Sequence, residues 1–160
     1  GTGAVLYAGS VIADRVLIAD LATVREKVII GKKTIVGRGV CIENCCNIGC
    51  ECKLETNSYL CAYSSVEDGC FIAPGVVTSN DNYAGRSRKR FSCFKGLTLK
   101  KGARIGAGAV VLPGREIGPD GFAAAGSVVT RDIEPGTIAA GCPARELRKV
   151  PEDQLLENQK

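Results

Sequence analysis

The chain of 160 residues contains no histidine, no tryptophan and no methionine. Without histidine there is no imidazole to serve as a general base near neutral pH and none to ligate a metal. Aromatic residues make up only 5% of a chain that is 45% hydrophobic. The core must therefore be built from Val, Ile, Leu, Ala and Cys, which suits narrow, closely stacked layers. No apolar run approaches the roughly 18 to 20 residues of a spanning helix, and nothing resembles a signal peptide, so no membrane partner is expected. A net charge of +4 is mild, and its placement says more than its total. The first residue is Gly1 rather than methionine, as expected of a processed or engineered chain.

Glycine is plentiful instead, at 20 residues, and six prolines accompany it, which points to many turns in an all-β chain. Nine cysteines is an odd count at irregular spacing, which argues against a closed disulfide framework. The thiols read as reduced and the compartment as cytoplasmic.

The organising feature is a six-residue beat. Starting at Ile12, every sixth residue is aliphatic through Ile18, Val24, Ile30, Val36, Ile42, Ile48, Leu54, Leu60, Val66 and Ile72. Four residues after each comes a small or β-branched one, from Val16 and Ala22 to Cys70 and Val76. Polar residues such as Asp14, Lys32, Asn44 and Asp68 fill the positions between. This period fits neither a lone helix nor an alternating strand, and hexapeptide repeats mark the parallel β-helix. An irregular β-sandwich would have to treat eleven consecutive matches as chance.

Positions i and i+4 share a parity, so a short extended segment followed by a turn points both inward. Gly at i+1 (Gly31, Gly37, Gly49, Gly106, Gly118) and Pro at i+2 (Pro74, Pro113, Pro119) fit a repeated corner. Three sides make a coil of eighteen residues, and coils stack at about 4.8 Å. About six coils are expected, with Gly1 to Ser10 as a lead-in. On this frame Cys52 and Cys70 are inward neighbours in adjacent coils. The dense run Cys45, Cys46, Cys50, Cys52 splits between inward and outward positions, so no metal site is expected there. Arg115 falls on an inward slot and must escape toward solvent at a distorted corner.

The beat stops at Thr78 and resumes at Leu99, a gap of 21 residues that resets the register. The stretch 79–96 reads as one protruding loop and as the seat of the chemistry. Pro-Gly pairs end the repeat after Val129, and Pro151, Glu152 and Asp153 read as the first turn of a short C-terminal helix. The expected organisation is a β-helix domain over 1–150, with the loop inserted, and a helical tail over 151–160.

The repeat, the segment KGARIGAGAVVLPG at 101–114 and the ending VVTRDI…GCPAR at 128–145 together resemble the hexapeptide-repeat acyltransferases, over nearly the whole chain. Within them, FIAPGVVTSNDNY at 71–83 is similar to bacterial N-acetyltransferases that act on nucleotide-linked amino sugars. The resemblance implies a left-handed β-helix, a homotrimer with active sites in clefts between subunits, and acetyl-CoA as donor without a metal.

Many members of that family use a histidine base, and this chain departs from them. The usual hydroxyl-acylating mechanism and a three-histidine zinc site are both removed. An amine acceptor fits better, because a neutral amine attacks a thioester without first becoming an alkoxide. Asn80 and Asp81 match the family's Asn-Asp motif and are assigned to catalysis: Asn80 orients the amine or the carbonyl, and Asp81 accepts a proton or bonds the sugar. Either residue could instead serve as a turn or capping residue. Tyr83 is assigned to the sugar, or else packs the loop base. Arg86, Arg88 and Arg90 suit the phosphates of a nucleotide sugar or of CoA, although a charge run can also be a solvated loop.

Ala107 and Ala125 match small residues along which the family lays the pantetheine arm, with simple turn packing as the plainer role. Arg131, Arg145 and Lys149 are candidates for the CoA 3′-phosphate, and the last two could equally bind helix carbonyls. Nucleic acid is not expected, since Phe91 and Phe94 are poorly placed as a stacking platform. A catalytically silent β-helix subunit and O-acylation by an Asp base remain as alternatives.

Overall fold

The computed structural model describes residues 1–159. Nineteen strands of two residues each run from β1 (Val5–Leu6) to β19 (Val128–Val129). From β1 to β16 each pairs in parallel with the strand three places on, so three sheets close around one interior. The first face carries the strands that begin at Val5, Thr23, Cys41, Tyr59, Val77, Val110 and Val128. The second begins at Val11, Ile29, Asn47, Ser65, Thr98 and Glu116. The third begins at Leu17, Ile35, Lys53, Phe71, Arg104 and Phe122. The result is an all-β parallel solenoid.

The second residue of each strand points inward, and from Val24 to Ile72 that whole series is buried. So is the companion series from Ala22 to Val76, which includes Thr34, Cys46, Cys52, Ser58, Ser64 and Cys70. Alternating a large with a small side chain fills a triangular coil that two large ones would overpack. Each buried Val, Ile or Leu contributes about 1.5–3 kcal/mol before chain entropy is subtracted. Cys52 and Cys70 sit buried in adjacent coils as expected, and burial pushes Cys46 up to about 12. These thiols are core residues.

The corners differ from the expectation. The left-handed residue is the third after each inward aliphatic, where Lys27, Cys45, Asn57 and Tyr63 in the early coils precede Gly69, Gly75, Gly102 and Gly108 in the later ones. The glycines at i+1 answer a different need: a Cβ on Gly31 would lie 2.5 Å from the backbone of Gly49 in the next coil. They permit stacking rather than a special φ.

The stack is taller than six coils, with seven, six and eight strands in its three sheets. Gly1 to Ser10 is no lead-in, because β1 already pairs with Thr23–Val24. At the other end the repeat shortens but persists. Ile133 bridges Ile117, and β20 (Thr137–Gly141) continues the third face with Ala139 beside Ala123. The chain then reverses, and β21 (Ala144–Lys149) adds antiparallel to β20.

Among the described residues the expected C-terminal helix is absent. Two separate 3-10 turns, Glu152–Gln154 and Leu156–Asn158, follow Pro151, with extended Leu155 between them. The segment is too short for an α-helix to persist by itself, and docking decides its shape instead. The Leu156 amide donates to Asp120 Oδ1 at 2.9 Å, and the leucine side chain sits over Gly69 and Gly102. Arg115 leaves the interior as expected: Nε donates to the Pro113 carbonyl at 3.2 Å, and Nη1 lies 3.8 Å from Asp132. Among the described residues no helix is long and apolar enough to cross a membrane.

Candidate active site

Through the regular coils paired residues are 18 apart in sequence, as in Tyr59↔Val77, whereas across the break Val77 pairs with Val110, 33 residues on. The loop thus inserts 15 residues (33 − 18), and the strands on either side still pair in parallel. It leaves from β13 (Val77–Thr78) on the first face and returns into β14 (Thr98–Leu99) on the second. Its base is stitched to both neighbours. The Lys95 amide donates to the Asn80 carbonyl at 3.1 Å, the Gly114 amide to the Lys95 carbonyl at 2.9 Å, and Asn80 Nδ2 to the Ala62 carbonyl at 3.4 Å. Gly96 is required at the return, since a Cβ there would stand 2.5 Å from the Tyr63 backbone.

Asp81 organises the interior of the loop. Its carboxylate accepts from the Tyr83 and Gly85 amides at 2.9 Å each and from Arg90 Nε at 2.8 Å. The Gly85 amide foremost, then the Tyr83 amide and Arg90, hold this carboxyl below its ordinary range against the opposing effect of desolvation. Arg90 is equally occupied. Its guanidinium carbon lies 5.3 Å from the Phe91 ring centre and 5.2 Å from that of Phe94. The two rings meet edge to face at 6.1 Å. A 3-10 turn over Arg88–Ser92, capped by the Ser87 hydroxyl, carries this cluster.

Asn80, Asp81, Tyr83 and Arg90 thus come together at the loop, with Arg86 and Arg88 exposed on its outside. Asn80 is half-buried and has one amide N–H engaged.

Ala107 and Ala125 lie elsewhere, on the corner between the third and first faces. They are 18 residues apart and joined by the Gly126 amide, which donates to the Ala107 carbonyl at 2.9 Å. One coil below, the Gly108 amide donates to the Pro74 carbonyl at 3.0 Å. A Cβ on Gly75, Gly108 or Gly126 would meet nothing within 4 Å. This corner is an open strip of small residues three coils tall.

Arg131 and Arg145 line one shallow groove near the top, and Arg145 Nη1 donates to the Ala144 carbonyl at 2.9 Å. Lys149 Nζ donates to Thr137 Oγ1 at 2.8 Å. The acceptors that these two side chains meet, a carbonyl and a hydroxyl, belong to strands and not to a helix. Among the described residues no three Cys, Asp or Glu side chains converge as metal ligands.

The loop and the small-residue strip are therefore on different corners of one chain, separated by the first face. Sequence reasoning missed Lys95, Gly96 and Gly114, whose backbones close the loop. The Lys-Gly pair just before the beat resumes was the available signal.

No family model matches the chain. Galactoside O-acetyltransferase of Escherichia coli K12 is 34% identical over 89 residues, which are 54% of this chain and 44% of that protein. A hexapeptide-repeat acetyltransferase of Vibrio cholerae, solved with acetyl-coenzyme A, is 26% identical with a TM-score of 0.68, over 77% of this chain and 71% of that one. PerB of Caulobacter crescentus, solved with CoA and GDP-perosamine, shares the fold at 23% identity and a TM-score of 0.52, over 91% of this chain and 54% of that one. In repeat, fold and local sequence the chain is similar to the hexapeptide-repeat acetyltransferases. It spans less than half the length of the curated relatives it matches.

Proposed function

We propose that the chain is an acetyl-CoA-dependent N-acetyltransferase acting on an amino sugar, nucleotide-linked through a diphosphate, and that it works as a homotrimer. The observation that carries the trimer is the separation of the loop from the small-residue strip. A complete site needs the loop of one subunit against the strip of the next. The face between them supports this arrangement, because its outward residues Val5, Thr23, Cys41, Tyr59, Val77, Val110 and Val128 include no charge.

The acceptor follows from proton chemistry. A hydroxyl needs a base to become nucleophilic, the 160 residues hold no histidine, and the Asp81 carboxylate is occupied within the loop. A neutral amine needs no prior deprotonation. Its nitrogen attacks the thioester carbonyl carbon, the C–S bond breaks, and the proton lost by nitrogen ends on the departing thiolate or on water.

Asn80 Oδ1 orients the amine, Tyr83 covers the sugar, and Arg86 and Arg88 hold the diphosphate. Asp81 and Arg90 keep the loop in shape rather than touching the acceptor. The strip at Ala107 and Ala125 receives the pantetheine arm, with Arg131, Arg145 and Lys149 toward the CoA phosphates. Calorimetry with CoA tests this against the alternative of a silent structural subunit. Binding heat with acetyl consumption in the presence of a nucleotide-linked amino sugar supports the reading, and no heat at all sinks it.

A further inference from the structure

The outward side of the third face carries an arginine that the proposed chemistry leaves unused. Arg104 stands between Phe71 in the coil below and Phe122 in the coil above. Its guanidinium carbon is 4.9 Å from the Phe122 ring centre, and Nη1 donates to Gln154 Oε1 of the tail at 3.3 Å. Nε and Nη2 are buried, and neither has an acceptor among the described residues. These two N–H groups lie along one edge of the guanidinium, spaced for the two oxygens of a single carboxylate or phosphate. Buried donors are rarely left unpaired, because they forfeit water without gaining a partner. Elsewhere Arg25, Arg90 and Arg115 face carboxylates, and Arg86 and Arg88 are open to solvent.

A groove lies beside Arg104, lined by Lys53, Phe71 and Gly102 of the coils and by Gln154 and Leu156 of the tail. Three acids also border it. Glu51 is held by Lys33 at 2.8 Å, Asp120 accepts the Leu156 amide, and Asp153 is exposed at the rim. The wall over Arg104 is the tail itself.

We propose that this groove binds a small oxyanion, a carboxylate or a phosphate, which takes Nε and Nη2 of Arg104 in a two-point contact while the tail closes over it through Gln154. Lys53 adds a second positive charge. The site is separate from the loop and does not depend on the acetyl-transfer reading.

Thermal unfolding of the full chain tests it, with phosphate or acetate titrated against chloride at constant ionic strength. The expected result is a saturable rise in Tm with at least one anion, and the anion that saturates identifies the class. The rise should vanish in Arg104→Met and persist in Arg86→Ala/Arg88→Ala. Arg104→Lys keeps the charge without the fork and should bind about tenfold more weakly or worse. It also serves as the test if Arg104→Met does not fold. Hydrogen exchange at 152–158 should slow when the anion is added. A rise of equal size in wild type and Arg104→Met would be a general salt effect and would overturn the site. Loss of the rise in the loop variant, or no saturable rise with either anion, would overturn it as well.

Discussion

Asp81 and Arg90 close the loop on itself: one carboxylate oxygen, Oδ2, takes both Nε and Nη2 of the guanidinium at 2.8 Å. The same oxygen accepts the Gly85 amide. A residue that sequence alone assigns to catalysis is, in the folded chain, the point about which the loop turns.

Asp81→Ala should therefore release the loop and leave the solenoid intact. Exchange of the Tyr83 and Gly85 amides should speed up by about tenfold or more, while amides of the coils stay protected. Acid should act in the same direction. The Asp81 pKa is lowered in the fold, so its contribution is present above the ordinary aspartate range and is lost as pH falls through the lower folded value. NMR titration of the two amides checks this; a loop that loosens on raising pH above neutrality contradicts it.

Asn80→Ala should lower kcat by roughly 10²-fold, the scale on which a misplaced reacting group or a lost donor is felt. CoA affinity should stay near wild type, because Asn80 is assigned to the acceptor amine and not to the pantetheine arm. Steady-state kinetics beside calorimetry separates the two, and a variant with full activity removes Asn80 from the site.

Ala107→Trp should raise the KM for acetyl-CoA at least about tenfold by filling the strip, if the strip is where the arm lies. Ala107 is exposed, so its Tm should move by only a few degrees. An unchanged KM would put the arm elsewhere.

Ser58 and Ser64 occupy successive inward slots and should respond oppositely to alanine. Ser58 Oγ is buried without a partner, so Ser58→Ala should be neutral or stabilising by up to about 1 kcal/mol. Ser64 Oγ donates to the Cys61 carbonyl at 2.7 Å and accepts from the Leu97 amide at 3.3 Å. Ser64→Ala should cost about 1–3 kcal/mol by stranding those backbone groups. Urea midpoints decide, and equal shifts would contradict the hydrogen-bond assignment.

The solenoid was legible because one inward position recurs every six residues, and register follows from counting. The six-residue count alone places Ile12 to Ile72 inward. Counting failed where the period shortened: the hairpin over 137–149 starts after a step of 16 rather than 18, as Ala123↔Ala139 records. The tail failed for another reason, since its shape depends on Asp120, Gly69 and Gly102, far away in sequence. At the loop the residue types were legible but their division of labour was not. Asp81 and Arg90 are nine apart, with no periodicity to join them, and Arg104 looks like any exposed strand residue until Gln154 is folded onto it.

We propose that this chain acylates nitrogen and not oxygen, because its 160 residues hold no histidine to activate a hydroxyl. CoA release should be measured with a nucleotide-linked amino sugar and with the matching sugar that carries a hydroxyl in place of the amine, across pH. Release is expected with the amine alone, at a rate that climbs with pH as the acceptor itself loses its proton and shows no break in the histidine range. Comparable release with the hydroxyl sugar would contradict it.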